Sequence, residues 1–500
     1  MEQIPQYAQN AIRMVEIIST FLLFSFGVLL IGILIIFFMD ILQSKDAIRR
    51  NYPVIGRFRS LFTTLGEFFR QYFFAMDREE MPFNRAERDW INNVSDHGTE
   101  TVPFGSTRVL APGAAIFAND MFPKLEGEHT PQPNKLIGPY ARKPYTPNSF
   151  FNISGMSYGA MSKPAIQALS HGAQLAGCWL NTGEGGVSPY HLEGECDIVL
   201  QLGTAKFGAR NPDGSLNAKK LAKLCENPHI KMIEIKLSQG AKPGKGGILP
   251  ANKVNAEIAE IRGIPEGVAA ISPNRHIDAK NPEELLDLIH LMREASGLPV
   301  GIKFVVGSMD PVKNLVSAIH ARGSKHAPDF MAIDGGHGGT GAAPLPLIDN
   351  MGLPIRESLP AVDDLLREEG LRDRIKLIAT GKLITPAETA WAFCAGADYV
   401  CSARGFMFAL GCIQALKCNK NTCPTGITTH KKGLQKGLNP ENKSIRVMKY
   451  CKNMRNEVEM IAHSCGVDHP HDLTRDHVMI VQPTGRSKPF SQVWDRSRYL

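Results

Sequence analysis

The feature that most constrains the fold is a regular alternation of short apolar runs, glycine-rich loops and helical patterns between residues 149 and 410. The apolar runs occupy residues 151–155, 230–237, 268–272, 299–307, 329–336, 375–381 and 397–403. Helical patterns lie at 282–296, 312–323 and 386–396. Strand–loop–helix repetition is typical of a parallel α/β fold, and its length favours an eight-stranded (β/α)8 TIM barrel over an open doubly wound sheet. Because such barrels carry their chemistry at the carboxyl ends of the strands, we expect the polar residues that follow the runs to share one site.

A continuous apolar segment lies ahead of this pattern. Residues 17–39 contain no charged side chain, and about 20 apolar residues span a bilayer. A buried core helix and a cleaved signal peptide are the alternatives, but the apolar part of a signal peptide is only about 7–15 residues long. The basic residues that follow the segment are Lys45, Arg49, Arg50, Arg57 and Arg59. By the positive-inside rule we expect a single-pass transmembrane helix in the inner (cytoplasmic) membrane, with the catalytic domain facing the cytoplasm.

Composition and loop-forming residues divide the rest of the chain into parts. The net charge of +7 over 500 residues gives no reason to expect nucleic acid as a partner, and ten cysteines are too few for a disulfide scaffold. We expect four parts: residues 1–45 with the anchor, a soluble region and linker at 46–145, the barrel at 146–445 and a C-terminal extension at 446–500. In the second part, residues 58–74 have helical apolar spacing and lie either on the membrane surface or against the barrel domain.

Three glycine-containing loops end consecutive apolar runs late in the expected barrel. The first, GGHGGTG at 335–341, contains a G-x-G-x-x-G pattern, but prolines at 344 and 346 oppose the immediate helix that a Rossmann motif requires. TGK at 380–382 and SARG at 402–405 end the next two runs. Barrels often bind phosphate with the loops after their last two strands. Plain tight turns would explain one such loop, but three in series indicate a phosphorylated cofactor.

Three cysteines are grouped within 12 residues, as Cys412, Cys418 and Cys423 followed by Pro424. Thiolates at such spacing can hold iron and sulfur. A structural zinc site normally needs four ligands, and His430 is the nearest further candidate. Three thiols without a fourth point towards a three-iron cluster, with zinc and buried, unligated thiols as the alternatives.

A basic loop follows the run at 230–237. It contains Lys236, Lys242, Lys245 and Lys253, and Arg262 follows on a helix. Such a cluster suits a dicarboxylate or a phosphate, since Arg offers a bidentate fork and Lys a point charge. A solvated basic loop is the alternative. Glu184 stands among glycines in NTGEGG at 181–186, where a carboxylate can transfer protons or simply cap a turn.

Taken in order, the motifs at 154–169, 181–186, 236–250, 271–278, 336–345 and 411–427 resemble the FMN-binding synthase domain of glutamate synthase. The similarity covers residues 145–435, and the preceding segment resembles the membrane-anchored, stand-alone members of that family. The resemblance implies a (β/α)8 barrel that carries FMN and a 3Fe–4S cluster. It also implies an oxidoreductase acting on CH–NH2 donors, in which 2-oxoglutarate and ammonia condense to an iminium that reduced FMN converts to glutamate. A ferredoxin or a reductase subunit would be the electron donor.

The resemblance also implies roles for particular residues. Glu184 and Lys303 would be catalytic, with Glu184 on the ammonia side and Lys303 facing the flavin ring. Lys236, Lys242 and Arg262 would contact the oxo acid, and Cys412, Cys418 and Cys423 would hold the cluster. The residues that would border the flavin or surround its phosphate are Met156, Ser157, Lys303, Gly338, Gly339, Gly341, Gly381, Lys382, Ala403 and Arg404.

Two departures from the family pattern bear on the reaction. The sequence opens MEQ and shows no glutaminase domain, so we expect ammonia from another source. Ile248 replaces the glutamine of the family's substrate loop, and the lost amide donor weakens the recognition of 2-oxoglutarate. Glutamate formation is the leading prediction. The alternatives are N-methylglutamate formation and an electron-transfer component of a membrane complex that turns over no oxo acid.

Overall fold

The computed structural model describes residues 5–43, 46–69, 72–73, 75–98, 101–125, 127–130 and 132–499. The chain folds into two compact units, Met1–Ala86 and Glu87–Leu500. The smaller unit contains three helices, α1 (Gln6–Leu42), α2 (Ala47–Asn51) and α3 (Gly56–Phe69). Residues Gln9–Leu42 of α1 are long and apolar enough to cross a membrane, and none of their most apolar stretch is buried.

The larger unit contains the remaining helices and all the strands of the described residues. Its helices are α4 (Arg85–Asp96, which begins in the smaller unit), α5 (Lys163–Ala176), α6 (Pro189–Leu192), α7 (Ala218–Leu224), α8 (Ala256–Arg262), α9 (Pro282–Ser296), α10 (Asp310–Arg322), α11 (Leu345–Ile348), α12 (Ile355–Glu368), α13 (Pro386–Cys394), α14 (Arg404–Ala409), α15 (Lys432–Gln435), α16 (Pro440–Ser464) and α17 (Phe490–Val493). Its strands are β1 (Ala115–Phe117), β2 (Phe151–Ile153), β3 (Leu180–Asn181), β4 (Ile198–Leu202), β5 (Ile230–Lys236), β6 (Ile248–Leu249), β7 (Ala270–Ile271), β8 (Val300–Phe304), β9 (Phe330–Asp334), β10 (Lys376–Thr380), β11 (Tyr399–Ser402), β12 (Val478–Val481) and β13 (Ser487–Pro489).

Eight of the strands close into a parallel barrel in the order β2, β3, β4, β5, β8, β9, β10 and β11, with β11 paired to β2. Every residue of β4, β8 and β9 is buried, as expected for parallel strands that are covered on both faces. The predicted TIM barrel is therefore confirmed. Register places Lys236 opposite Lys303 and Thr380 opposite Asp334, so these polar residues lie side by side at the carboxyl end of the barrel.

Two expectations about strands need correction. The run at 268–272 is not a barrel strand: only Ala270–Ile271 is extended, and it pairs antiparallel with β6 in the insertion between β5 and β8. Val268 and Ile271 are more than half exposed, so this apolar run does not enter the core. Conversely, the predicted strands omit β3 and β4. β3 has only two residues, which is too short for a recognisable apolar run.

The signals at helix ends explain why helices are more easily recognised in the sequence than strands. The Asn281 side chain accepts a hydrogen bond from the Glu284 amide at 2.8 Å at the start of α9, and Gly297 ends it in a left-handed conformation. Asn caps and glycine stops are strong local signals, and the observed helix matches the predicted 282–296. The C-terminal helix α16 begins at Pro440 and packs on α5 and α13. Strands β1, β12 and β13 form a separate antiparallel sheet.

Acidic residues at the amino ends of the strands are used for structure. Asp398 is fully buried before β11, where Arg372 Nη1 lies 2.8 Å and Lys135 Nζ 2.7 Å from its carboxylate oxygens. Asp329 holds the corresponding place before β9 and accepts hydrogen bonds from Arg293 Nε at 3.1 Å and the Val300 amide at 2.8 Å. These carboxylates stabilise the end of the barrel opposite the predicted site.

Candidate active site

A cleft opens at the carboxyl end of the barrel and brings most of the predicted site residues together. The predicted residues that line it are Met156, Ser157, Glu184, Lys236, Lys242, Arg262, Lys303, Gly339, Gly341, Gly381, Lys382, Ala403, Arg404 and Cys418. The other three predicted residues, Gly338, Cys412 and Cys423, are not among the lining residues. Lys303 of β8 and residues of the loops that follow β2, β3, β5, β9, β10 and β11 line the cleft, so barrel closure assembles residues that are distant in sequence.

Three cations surround Glu184 on one side of the cleft, and we call Lys236, Lys242 and Arg262 the basic cluster. Lys236 Nζ lies 3.4 Å from Glu184 Oε2. Lys242 and Arg262 are only 5% and 4% exposed. One carboxylate against three cations leaves net positive charge in a partly dry site, which favours an anionic ligand.

Arg262 has donor capacity that the protein leaves unused. Its guanidinium lies 5.1 Å from the centre of the Phe207 ring and donates through Nη2 to the Tyr158 carbonyl at 3.2 Å. Its Nε is buried and, within the described part of the chain, has no hydrogen-bond acceptor. A buried donor without an acceptor is costly, so a ligand carboxylate would complete this environment.

Burial and charge oppose each other at Glu184. Burial raises the pKa of the Glu184 carboxyl, but Lys236 and Lys242 outweigh that effect and hold the pKa below its ordinary value. Burial lowers the pKa of Lys242, and it lowers the pKa of Arg262 to about 10 against the opposing charge of Glu184. At neutral pH, Glu184 is therefore a carboxylate that can accept a proton.

Two glycines leave the space that the Glu184 side chain occupies. A Cβ atom on Gly247 would lie 1.8 Å from Glu184 Oε1, and one on Gly203 would lie 2.6 Å from Oε2. Side chains at these positions would displace the carboxylate. Glu184 of the NTGEGG loop therefore packs against the lysine-rich loop at a position where only glycine leaves room for it.

Lys303 forms the floor of the cleft. Its Nζ lies 3.7 Å from Asp334 Oδ2 and 3.5 Å from Ser154 Oγ. Burial lowers the pKa of Lys303, but Asp334 and Glu234 outweigh it and the pKa is raised. Lys303 is therefore a fixed, buried cation in the cleft.

Sequence reasoning missed Gln201, a polar residue that lines the cleft, as a functional candidate, whereas Asp334 is one of the polar strand-end residues that were expected to share the site. Gln201 donates through Nε2 to Glu234 Oε1 at 2.6 Å, and Asn181 donates to the same oxygen at 2.9 Å. Asp334 accepts a hydrogen bond from the Gly240 amide at 2.9 Å. Gln201 is the one polar residue in the IVLQL sequence of β4, and that interruption was the available signal.

The glycine-rich loops after β9, β10 and β11 form the opposite wall. Arg404 donates to the Thr340 carbonyl, and a Cβ atom on Gly339 would lie 2.8 Å from Arg404 Nε. At Gly341 a Cβ atom would meet no heavy atom of the described residues within 4 Å, which leaves open space in the cleft. The Gly338 amide instead donates to the Gly335 carbonyl at 2.8 Å and closes a turn. Glycine-lined space beside an arginine fits a phosphate-bearing group.

The cysteine segment follows this wall. Burial raises the pKa of the Cys412 thiol, and the Cys418 and Cys423 thiols add to that effect, so the three side chains share one neighbourhood. Burial also raises the pKa of Cys423, but hydrogen bonds from Thr425 and Thr428 outweigh it and the pKa is lowered. Sulfur donors of this kind suit iron–sulfur chemistry.

A single zinc ion fits the segment poorly. Among the described residues, no three His, Cys, Asp or Glu side chains are grouped to hold one metal ion. The His430 ring, the nearest further candidate, is hydrogen-bonded to the Gly159 carbonyl at 2.7 Å.

Lys253 joins the cysteine segment to the cleft, and its role was also missed. It is 3% exposed and donates to the carbonyls of Cys418 at 2.9 Å and Thr428 at 2.7 Å. Burial lowers the pKa of Lys253 to about 8, against the opposing charges of Cys418 and Cys423. Gln414, Leu416 and Asn421 in this segment have φ values of 56°, 52° and 57°, a conformation that costs energy in non-glycine residues and is kept where the surroundings enforce it.

Comparison with known proteins identifies the family to which the chain belongs. Residues 123–468 match the family model described as the conserved region in glutamate synthase. The glutamate synthase large subunit-like protein YerD of Bacillus subtilis is 38% identical over 94% of this chain and 97% of its own length. The archaeal glutamate synthase of Methanocaldococcus jannaschii is 38% identical over 63% of this chain, but the match spans only 59% of that protein.

Among solved structures, the flavin-binding domain of baker's yeast flavocytochrome b2 aligns with 82% of this chain and 84% of its own at 13% identity and a TM-score of 0.44. That score is too low to support an argument about fold or function. The family match and the near full-length relative decide the matter: the chain belongs to the glutamate synthase family and is an oxidoreductase of its synthase-domain type.

Proposed function

We propose that this chain binds FMN in the cleft and catalyses the reductive amination of 2-oxoglutarate, or a related oxo acid, by ammonia to form glutamate. The observation that carries the proposal is the basic cluster around Glu184 in the same cleft as the glycine-lined wall. The overall change is oxo acid plus ammonium plus two electrons and two protons, giving the amino acid plus water. When bound, FMN would supply the hydride.

The residues of the chain have separate tasks in this proposal. Arg262 and Lys242 bind the substrate carboxylates, since both are buried cations. Glu184 would take up the proton that the nitrogen loses as it bonds to the carbonyl carbon of the oxo acid and pass it to the oxygen that leaves as water, and the neighbouring lysines keep Glu184 ionised before that step. Gly339, Gly341, Gly381, Lys382, Ala403 and Arg404 would surround the FMN phosphate, and Met156, Ser157 and Lys303 would border its ring.

Cys412, Cys418 and Cys423 would hold the 3Fe–4S cluster, which supplies single-electron transfer from a donor protein such as a ferredoxin or a reductase subunit. Support comes from the shared neighbourhood of the thiols and from the buried cation of Lys253 beside them. The positive charge would offset part of the negative charge of a thiolate-ligated cluster.

Helix α1 is the proposed transmembrane anchor, with the larger unit on the cytoplasmic side. Its length, its apolar composition and the absence of burial in its most apolar stretch support this assignment. Arg49, Arg50, Arg57 and Arg59 after the helix give the orientation.

Ile248 favours a second candidate reaction, the formation of N-methylglutamate from methylamine. Its side chain is 43% exposed and lines the cleft next to Gly247, which faces Glu184. An apolar wall beside the proposed amine site would tolerate a methyl group, whereas an amide there would be left partly unpaired.

The test uses the full chain, purified in detergent without oxygen. The flavin spectrum, FMN and iron content are measured first. Glutamate and N-methylglutamate are then quantified after incubation with 2-oxoglutarate, a reduced viologen dye and either ammonium or methylamine. We expect FMN, iron and glutamate formation, and Lys242→Ala should abolish turnover with the flavin retained. A preparation that binds no FMN, or one that reduces no oxo acid with either amine, contradicts the proposal.

A further inference from the structure

Helix α3 has an apolar face whose side chains are largely exposed. Phe58, Leu61, Phe62, Leu65 and Phe69 recur at intervals of three and four residues, which places them on one side of the helix. Phe58 is 51% exposed, Leu61 49%, Phe62 65% and Phe69 39%. The Phe58 and Phe62 rings lie 6.3 Å apart between centroids, so the face is a continuous apolar surface.

The other side of the helix is polar and basic. Thr63 and Thr64 donate their hydroxyls to the carbonyls of Arg59 and Ser60 at 2.8 and 3.0 Å, which removes the need for other partners. Arg59 is exposed, as is Arg50 on the neighbouring helix α2. A helix that is apolar on one side and basic on the other is typical of the membrane–water interface.

A buried ion pair fixes where α3 begins relative to α1. Asp40, in the last turn of α1, is 1% exposed. Its carboxylate accepts hydrogen bonds from Arg57 Nε and Nη2 at 3.0 and 2.8 Å and from the Val54 amide at 3.0 Å. The start of α3 is therefore held beside the end of α1. If α1 crosses a membrane, α3 begins at the level of the lipid headgroups.

We propose that α3 lies in the plane of a phospholipid bilayer surface, with Phe58, Leu61, Phe62 and Phe69 among the acyl chains and Arg50 and Arg59 at the lipid phosphates. The proposal deepens the proposed membrane anchorage and rests on it. If a second copy of the chain or another protein covered this face instead, the aromatic side chains would contact protein and not lipid. The occupant can therefore be identified by what lies against position 62.

The experiment places the photoreactive residue p-benzoylphenylalanine at single positions of the full chain, reconstituted into phosphatidylcholine–phosphatidylglycerol vesicles. Position 62 tests the apolar face, and position 60, an exposed serine on the opposite side of the same helix, is the matched control. Position 30, within α1, tests the span itself. After illumination, lipid and protein adducts are quantified by mass spectrometry.

We expect several-fold more lipid adduct at position 62 than at position 60, with position 30 also labelled. Equal lipid labelling at 62 and 60, or a protein adduct at 62, would overturn the assignment of α3. Labelling at 30 combined with no lipid adduct at 62 would refute α3 while leaving the span intact. Lipid labelling at 62 but not at 30 would support the surface position of α3 and refute the span.

Discussion

Glu184 illustrates how one side chain can be held charged in a buried place. The lysines of the basic cluster offset its desolvation, so Glu184→Gln removes the proton acceptor with almost no change of shape. We expect the rate of glutamate formation to fall by about 10²–10³-fold, with the FMN content unchanged. Glu193→Gln, at an exposed carboxylate that accepts hydrogen bonds from Gln167, serves as the control. Unchanged turnover in the Glu184 variant would remove it from the catalytic machinery.

A substitution at Gly247 tests whether the position of the Glu184 carboxylate matters for the reaction. In Gly247→Ala the new methyl group would lie 1.8 Å from Glu184 Oε1, so the carboxylate would have to move. A displacement of about 1 Å in a catalytic group can cost about 100-fold in rate. We expect a loss of that size in kcat, with little change in thermal stability. Gly433→Ala is the matched control, since its Cβ atom would meet nothing within 4 Å among the described residues. Equal activity of the two variants would contradict the packing argument.

Lys253 predicts a link between the cleft and the cysteine segment. Lys253→Met leaves the Cys418 and Thr428 carbonyls without their buried donor, which we expect to lower the free energy of unfolding by about 1–3 kcal/mol. The iron content per chain should fall while the FMN content stays constant, and Lys253→Arg should restore part of the iron. The comparison variant is Lys245→Met, at an exposed lysine of the same loop. Iron binding that is the same in both methionine variants would argue against this role.

At the scale of elements, Asp398 makes a prediction about acid stability. Burial raises its pKa, but Arg372 and Lys135 outweigh that effect and bring the pKa to about 2, below the ordinary 3.8. Since the folded pKa is the lower one, the carboxylate stabilises the fold above pH 4 and this stabilisation is lost as the pH falls towards 2. The difference corresponds to about 2 kcal/mol. In urea unfolding between pH 5 and 3, Asp398→Asn should be less stable and less pH-dependent than the parent chain. Asp349→Asn, at an exposed carboxylate, should behave like the parent.

Elements with local signals could be predicted from sequence, and those set by tertiary pairing could not. Helix α9 carries its own cap and stop, so its range was predictable. The run at 268–272 has the composition of a barrel strand, but its position in an insertion makes it pair with β6 at the surface. β3 consists of two residues that are extended because β2 and β4 flank them. Apolar composition indicates that a segment is buried, but it does not indicate which strand pairs with that segment.

At the scale of the whole molecule, the site depends on barrel closure. Ser154, Glu184, Lys236, Lys303 and Arg404 come from different strand ends and line one cleft. The expected barrel placed the strand-end residues together in advance, and the ordered series of motifs added their roles. Gln201, and the contact of Lys253 with the cysteine segment, could not be found in that way. Their significance comes from a buried carboxylate and from backbone carbonyls that lie across the fold.

The whole chain also predicts how the protein partitions between membrane and solution. Val28 and Ile31 lie near the middle of the apolar segment and are 54% and 60% exposed. On insertion scales, an arginine near the centre of a membrane span costs about 2.5–3.5 kcal/mol, so Val28→Arg combined with Ile31→Arg should oppose insertion strongly. We expect the parent chain to stay with membranes after alkaline carbonate extraction and the double variant to be released. Val109→Arg combined with Leu110→Arg adds the same two charges at exposed apolar positions of the larger unit. That control should remain in the membrane fraction, because the charges act on insertion only where the chain meets the hydrocarbon core. Release of both double variants, or of neither, would contradict a spanning role for α1.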